Sequence, residues 1–154
     1  MNIFVVNFEK VVNSYKVYQD SISNLDMEKE KFSQRVSEIR SEMESIINGS
    51  RMLVLDQSLK EQNNIRLREL QSEGIKLESE FRQVLSEKQS SILESCFSDI
   101  SKIVNEWSTN NGADMVLNSN SVFFAKGDRD ITDKILGVLM SKDLYVEVKE
   151  EVNN

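Results

Sequence analysis

The sequence predicts an α+β protein. A long antiparallel α-helical coiled-coil hairpin stands on a small β-sheet body expected to assemble with other copies through its strands. Three observations carry this prediction. The 154 residues contain no proline and only five glycines, and proline costs a helix interior roughly 3 kcal/mol. Apolar residues recur with a 3.5-residue period through the middle of the chain, the signature of a coiled-coil seam. Strand-forming runs occur only near the two ends, at "NIFVVN" (2–7) and "ADMVLNSNSVFFA" (113–125).

The first run, Ile3 to Val6, reads as a strand. It is too short for a membrane span, and no basic segment precedes it. The chain as encoded is therefore expected to be soluble and cytoplasmic, or periplasmic if it is a mature form with an added Met1.

From Val11 the apolar positions are Val11, Tyr15, Tyr18, Ile22, Leu25, Phe32, Val36, Ile39, Met43 and Ile46, with Lys29 the one polar exception. A pause follows at "INGSRMLVLDQS" (47–58), where Asn48, Gly49 and Ser50 favour a turn and Asp56 and Ser58 can cap a helix. A second periodic run takes Leu67, Leu70, Gly74, Leu77, Phe81 and Val84, then Ile92, Cys96, Ile100, Ile103 and Trp107. Its steps of four around Cys96 are a stutter that locally unwinds a supercoil. Two helices of similar length joined by a polar interruption are expected to fold back on each other, with a tip within 48–58. Asn110, Asn111 and Gly112 then suit a helix C-terminus with a left-handed residue.

The run 113–125 reads as a β-hairpin. If the helices fold back, its partner is the strand Ile3–Val6. Thr132 is placed to cap a last helix, with Ile131 and Leu136 as a hydrophobic staple, and Leu144–Val148 could add a short strand. The predicted body is thus residues 1–14 and 108–148, the arm 15–107, and the tail 149–154. A lone hairpin is marginal in water, and consecutive Val122, Phe123 and Phe124 leave both faces of one strand in need of cover. Exposed edges invite pairing with other chains, and closure between copies removes them. The candidate interface residues are Ile3, Val5, Met115, Leu117, Val122, Phe123 and Phe124. Copy number does not follow from this reasoning.

Composition excludes several chemistries. A net charge of −7 argues against neutralising phosphates, so no nucleic-acid partner is expected. Without histidine there is no imidazole base, and Cys96 is the lone cysteine, expected as a packed thiol. No glycine spacing makes a phosphate loop. Asp128, Asp130 and Asp133 lack the glycine and terminal glutamate of a calcium loop. No cofactor, metal or enzymatic activity is expected, and no integral membrane segment.

The layout resembles the Skp (OmpH-like) chaperone family over residues 2 to about 140. The resemblance rests on "IFVVNFEKVV" (3–12), "NNGADMVLNSNSVFFA" (111–125 with Asn110) and "DITDKIL" (130–136); the heptads between would match any coiled coil. It implies a homotrimer whose strands form a small barrel and whose helical hairpins surround a cavity. There unfolded clients are held without ATP, a holdase with a shape like prefoldin. Two features depart from the family: no signal peptide is evident, and the chain is acidic where many members are basic. Residues 51–68 nevertheless hold Arg51, Lys60, Arg66 and Arg68 against Asp56 and Glu61. Near that tip, Ile46, Ile47, Arg51, Met52, Leu53, Val54 and Leu55 are candidates for client contact, or they simply close the hairpin end. The alternative function is a structural or assembly coiled-coil protein with one dedicated folded partner.

Overall fold

The protein was analysed as a computed structural model that describes residues 1–52 and 56–148. The elements are β1 (Ile3–Val6), α1 (Phe8–Asn13), α2 (Lys16–Met52), α3 (Gln57–Asn110), β2 (Met115–Asn118) and α4 (Thr132–Ser141), with single 3-10 turns at Ser119–Ser121 and Gly127–Arg129. They divide into two compact units: Met1–Ser23 with Ser90–Asn154, and Asn24–Gln89.

The second unit contains only α2 and α3. Every seam position predicted in its part of α2, from Leu25 to Ile46, is buried or half-buried, Lys29 included. Cross-helix partners identify the arrangement. Phe32 stacks on Phe81 with ring centroids 4.1 Å apart, Ile39 lies against Gly74, and Asn63 donates to Ser50 Oγ at 3.1 Å. As numbers rise along α2 they fall along α3, so the helices are antiparallel. Ion pairs Lys88–Glu28, Arg35–Glu73 and Arg66–Glu42 bridge the same two helices. They are exposed, so each contributes little to stability, but together they favour this register.

Three details of the helices correct the sequence expectation. Asn48-Gly49-Ser50 is no turn: α2 continues to Met52. Ser50 donates to the Ile46 carbonyl at 2.9 Å, which keeps a polar side chain satisfied inside the helix. Asp56 does act as the cap, accepting from Leu59 N–H at 2.8 Å. The helices also differ in length, 37 and 54 residues, because α3 runs on to Asn110. Val84 is not on the seam; it is exposed, whereas Leu85 is half-buried. The steps of four that begin at Leu77 and Phe81 therefore reach Leu85, an earlier start to the stutter than the sequence pattern suggested.

The first unit holds the principal core: Val11 and Val12 of α1, Cys96, Ile100 and Ile103 of α3, and Ile131, Ile135 and Leu139 at α4. Cys96 is the packed thiol expected, and its burial, with Asp99 adding, raises its pKa. α3 ends as its sequence implies. Gly112 adopts φ +63°, and Ala113 N–H reaches back to the Ser108 carbonyl at 3.0 Å, a left-handed wrap of the Schellman type.

The sheet is parallel, with Ile3, Phe4, Val5 and Val6 opposite Met115, Val116, Leu117 and Asn118. Parallel neighbours need a long crossover, which here is the whole of α1, α2 and α3. The predicted hairpin does not form within the chain. After β2 the backbone turns through Ser119–Ser121, and Val122, though extended at φ −125° and ψ 125°, joins no strand. The other side of β1 is taken by residue 130, with Ile131 N–H donating to the Val5 carbonyl at 2.9 Å. Nor does Leu144–Val148 join the sheet; it makes one antiparallel bridge, Tyr145 to Tyr15.

Thr132 is the first residue of α4 rather than its cap. Its hydroxyl accepts from Asn7 N–H at 2.9 Å and donates to Asp130 at 2.5 Å, while Asn7 caps α1 through Lys10 N–H. The chain Asp130–Thr132–Asn7 thus joins the starts of two helices. Ile131 and Leu136, the predicted staple pair, are both buried.

Tyr15 is buried and its phenol donates to Asp99 at 2.9 Å. Burial, then the hydrogen bond to Asp99, pushes its pKa from 10.0 up to about 12. A folded pKa above the unfolded one means the phenol's contribution is complete below pH 10 and is lost as pH rises through about 12. Tyr15→Phe is expected to lower the unfolding free energy by about 1 kcal/mol at neutral pH. In urea titrations the gap to the unmodified protein should close between pH 10 and about 12.

Candidate functional site

Each unit offers one apolar surface. In the second unit a groove of about 630 Å³ opens between α2 and α3. Its apolar lining includes Phe32, Ile39, Met43, Ile47, Leu70 and Ile75, and Arg40, Glu44 and Glu78 stand at its rim. The local cause is Gly74. This residue occupies a seam position where the periodicity calls for a large side chain, and a Cβ built there would lie 3.9 Å from Ile39 Cγ2. The missing side chain leaves a notch beneath Ile75, which is itself 64% exposed. Coiled-coil holes are normally filled by knobs; this one stays open.

In the first unit the surface is the outer face of the sheet. Alternation sends Phe4, Val6 and Val116 toward the helical core. Trp107 meets Phe4 edge-on at 5.4 Å between centroids, and the Arg129 guanidinium lies over the same Phe4 ring. Ile3, Met115 and Leu117 are left on the other face and are exposed. Phe123 and Phe124 add two large exposed rings, and with Val5, Val122 and Ala125 they line a shallow hollow. Exposed apolar surface gathered this way, beside a strand edge, is the kind of surface through which proteins associate.

The family model described as "Outer membrane protein (OmpH-like)" matches residues 2–139. The chain belongs to the OmpH-like family. The matched span contains both surfaces and ends within α4. Among solved structures it is similar to an OmpH-like outer membrane chaperone candidate from Caulobacter crescentus CB15. The identity is 12%, the TM-score is 0.79, and the match covers 99% of this chain and 92% of that one. At that identity the likeness is one of fold. No curated protein matches the sequence.

The residues singled out from the sequence fall unevenly on these surfaces. Ile47 lines the groove and Ile46 is half-buried on the seam. Arg51 is exposed in the last turn of α2. Met52 ends that helix, and Leu53, Val54 and Leu55 lie outside the described residues. Of the assembly candidates, Ile3, Met115, Leu117, Phe123 and Phe124 are exposed, Val122 is half-buried, and Val5 is buried within its own chain. The sequence reading missed the groove. Its signals were present in a glycine on the seam and an isoleucine, Ile75, one step off it. Among the described residues no helix is long and apolar enough to cross a membrane.

Ile75→Ser is expected to leave helicity by circular dichroism unchanged, because Ile75 contributes little to the buried seam. It should reduce the fluorescence enhancement of an apolar dye on the folded protein, measured against an Ile65→Ser control.

Proposed function

We propose that the chain is an ATP-independent holdase chaperone that binds unfolded or partly folded proteins between helical arms. The observation that carries the proposal is the open apolar groove beside Gly74, in a helical hairpin belonging to the OmpH-like family. A client held this way needs apolar contact area and weak charge attraction, and no chemistry. Several arms acting on one chain raise the avidity without a strong site on any of them. In this reading residues 15–107 serve as the arm and 1–14 with 108–148 as the body.

Assembly is proposed to run through Ile3, Met115, Leu117, Val122, Phe123 and Phe124, the outer face of the sheet and the extended segment after it. Three copies follow from the family resemblance, as does a periplasmic workplace. The groove residues and Arg51 form the client surface, with charged rims that accept segments of mixed sign.

The test is suppression of aggregation. At stoichiometric ratios the purified protein should keep a range of denatured clients soluble without nucleotide. Failure with all of them, together with capture of a single native partner, would instead support a dedicated assembly protein. For the body, Phe123→Asp should lower the mass seen by light scattering to that of one chain or drive aggregation. An unchanged mass would overturn assembly through this face.

A further inference from the structure

We infer that residues 144–146 are a latch that imposes the break between α1 and α2, a conformational device independent of the client surface. Local sequence holds no strong helix breaker here, only the cap-forming pair Asn13-Ser14. Between Phe8 and Asp26 there is neither glycine nor proline, and the heptad phase Val11, Tyr15, Tyr18, Ile22 runs straight across it. Sequence alone favours one helix through this region, yet α1 ends at Asn13 and α2 begins at Lys16.

The main-chain hydrogen bonds show what intervenes. Ser14 N–H reaches the Lys10 and Val11 carbonyls, and Tyr15 N–H reaches Val12, three residues back, at 3.1 Å. The ladder then leaves the helix. Lys16 N–H donates to the Leu144 carbonyl at 2.8 Å, and the Ser14 carbonyl accepts from Val146 N–H at 2.9 Å. The Asn13 carbonyl is taken by the Gln19 side chain at 2.7 Å. At Gln19, whose N–H donates to Tyr15, the four-residue ladder resumes. Two groups that a continuous helix would pair within itself, Lys16 N–H and the Ser14 carbonyl, are therefore paired with a distant segment, and the Asn13 carbonyl is held by the Gln19 side chain.

That segment is held in place to do so. Asp143 takes a left-handed φ of 58°, and Leu144 N–H returns to the Leu139 carbonyl at 2.9 Å. Leu144 and Tyr145 pack against the core. Residues 144–146 also lie beyond the span that matches the family, which ends at 139. Because each latch hydrogen bond replaces a helical one, the bent and continuous forms differ by packing rather than by hydrogen-bond count. Release of the latch then returns Lys16 N–H and the Asn13 and Ser14 carbonyls to the helical ladder.

Two variants of the full protein test this by backbone carbon chemical shifts at Asn13–Lys16. Val146→Pro removes one donor and leaves Leu144 and Tyr145 in place; Tyr145, preceding proline, keeps its extended backbone. Truncation after Asp143 removes the latch entirely. The expected result is helical shifts at Ser14 and Tyr15 in both, with shifts in α4 unchanged. Break shifts that persist while α4 stays folded would place the cause in the packing of α1 and overturn the latch. Loss of the α4 shifts in both variants would make the segment a structural anchor and overturn it equally. Aggregation suppression is measured on the same samples, so failure of the latch is distinguishable from failure of the chaperone reading.

Discussion

The structure depends on the antiparallel pairing of α2 with α3. The strands of the body are far apart in sequence: Asn2 N–H bonds the Asp114 carboxylate at 2.6 Å across 112 residues. Closing a loop of that length by chance is entropically costly, although the cost grows only slowly with length. A helical hairpin removes most of that freedom before the strands meet. Four residues per strand could not meet that cost with their own hydrogen bonds. The pairing of β1 with β2 is thus favoured by the folding of the helices between them.

The sheet is parallel and small. The chain leaves β1, passes through α1, α2 and α3, and adds β2 alongside in the same direction. β1 then has a neighbour on each side, β2 and residue 130, while β2 has an edge without a partner among the described residues. One layer of helix covers one face of such a sheet. The uncovered face carries Ile3, Met115 and Leu117, apolar side chains gathered beside the edge of β2.

How much of this was legible in the sequence varies with the range of the interaction that decides it. The seam was readable because a helix repeats its environment every two turns, so Val11 through Ile46 could be assigned from spacing alone. Gly112 and Asp56 were readable because their roles are set by neighbours within five residues. The second strand of the hairpin was misread because Val122, Phe123 and Phe124 have strand propensity with no partner inside the chain, and propensity in sheets is mostly a statement about partners. Gly49 was misread for the opposite reason. A glycine costs a helix about 1 kcal/mol, and the packing of α2 on α3 outweighs that cost. The break at Ser14 and Tyr15 left only a weak local trace in Asn13 and Ser14, since its partners are some 130 residues away in sequence.

Gly74 shows how the seam can serve both stability and binding. Leu70, one turn before Gly74, is fully buried, and Ile39, which faces Gly74, is nearly so, so the pairing is anchored beside this position. A larger residue at 74 would fill space that Ile39 leaves free, adding contact area to the hairpin and removing it from the groove. Because neighbouring layers already hold the register, the loss of one knob costs little cooperativity. A coiled coil packed to completion would be more stable and would leave only its charged outer surface open. The groove lies where one seam position, Gly74, carries no side chain and the layers around it carry the pairing.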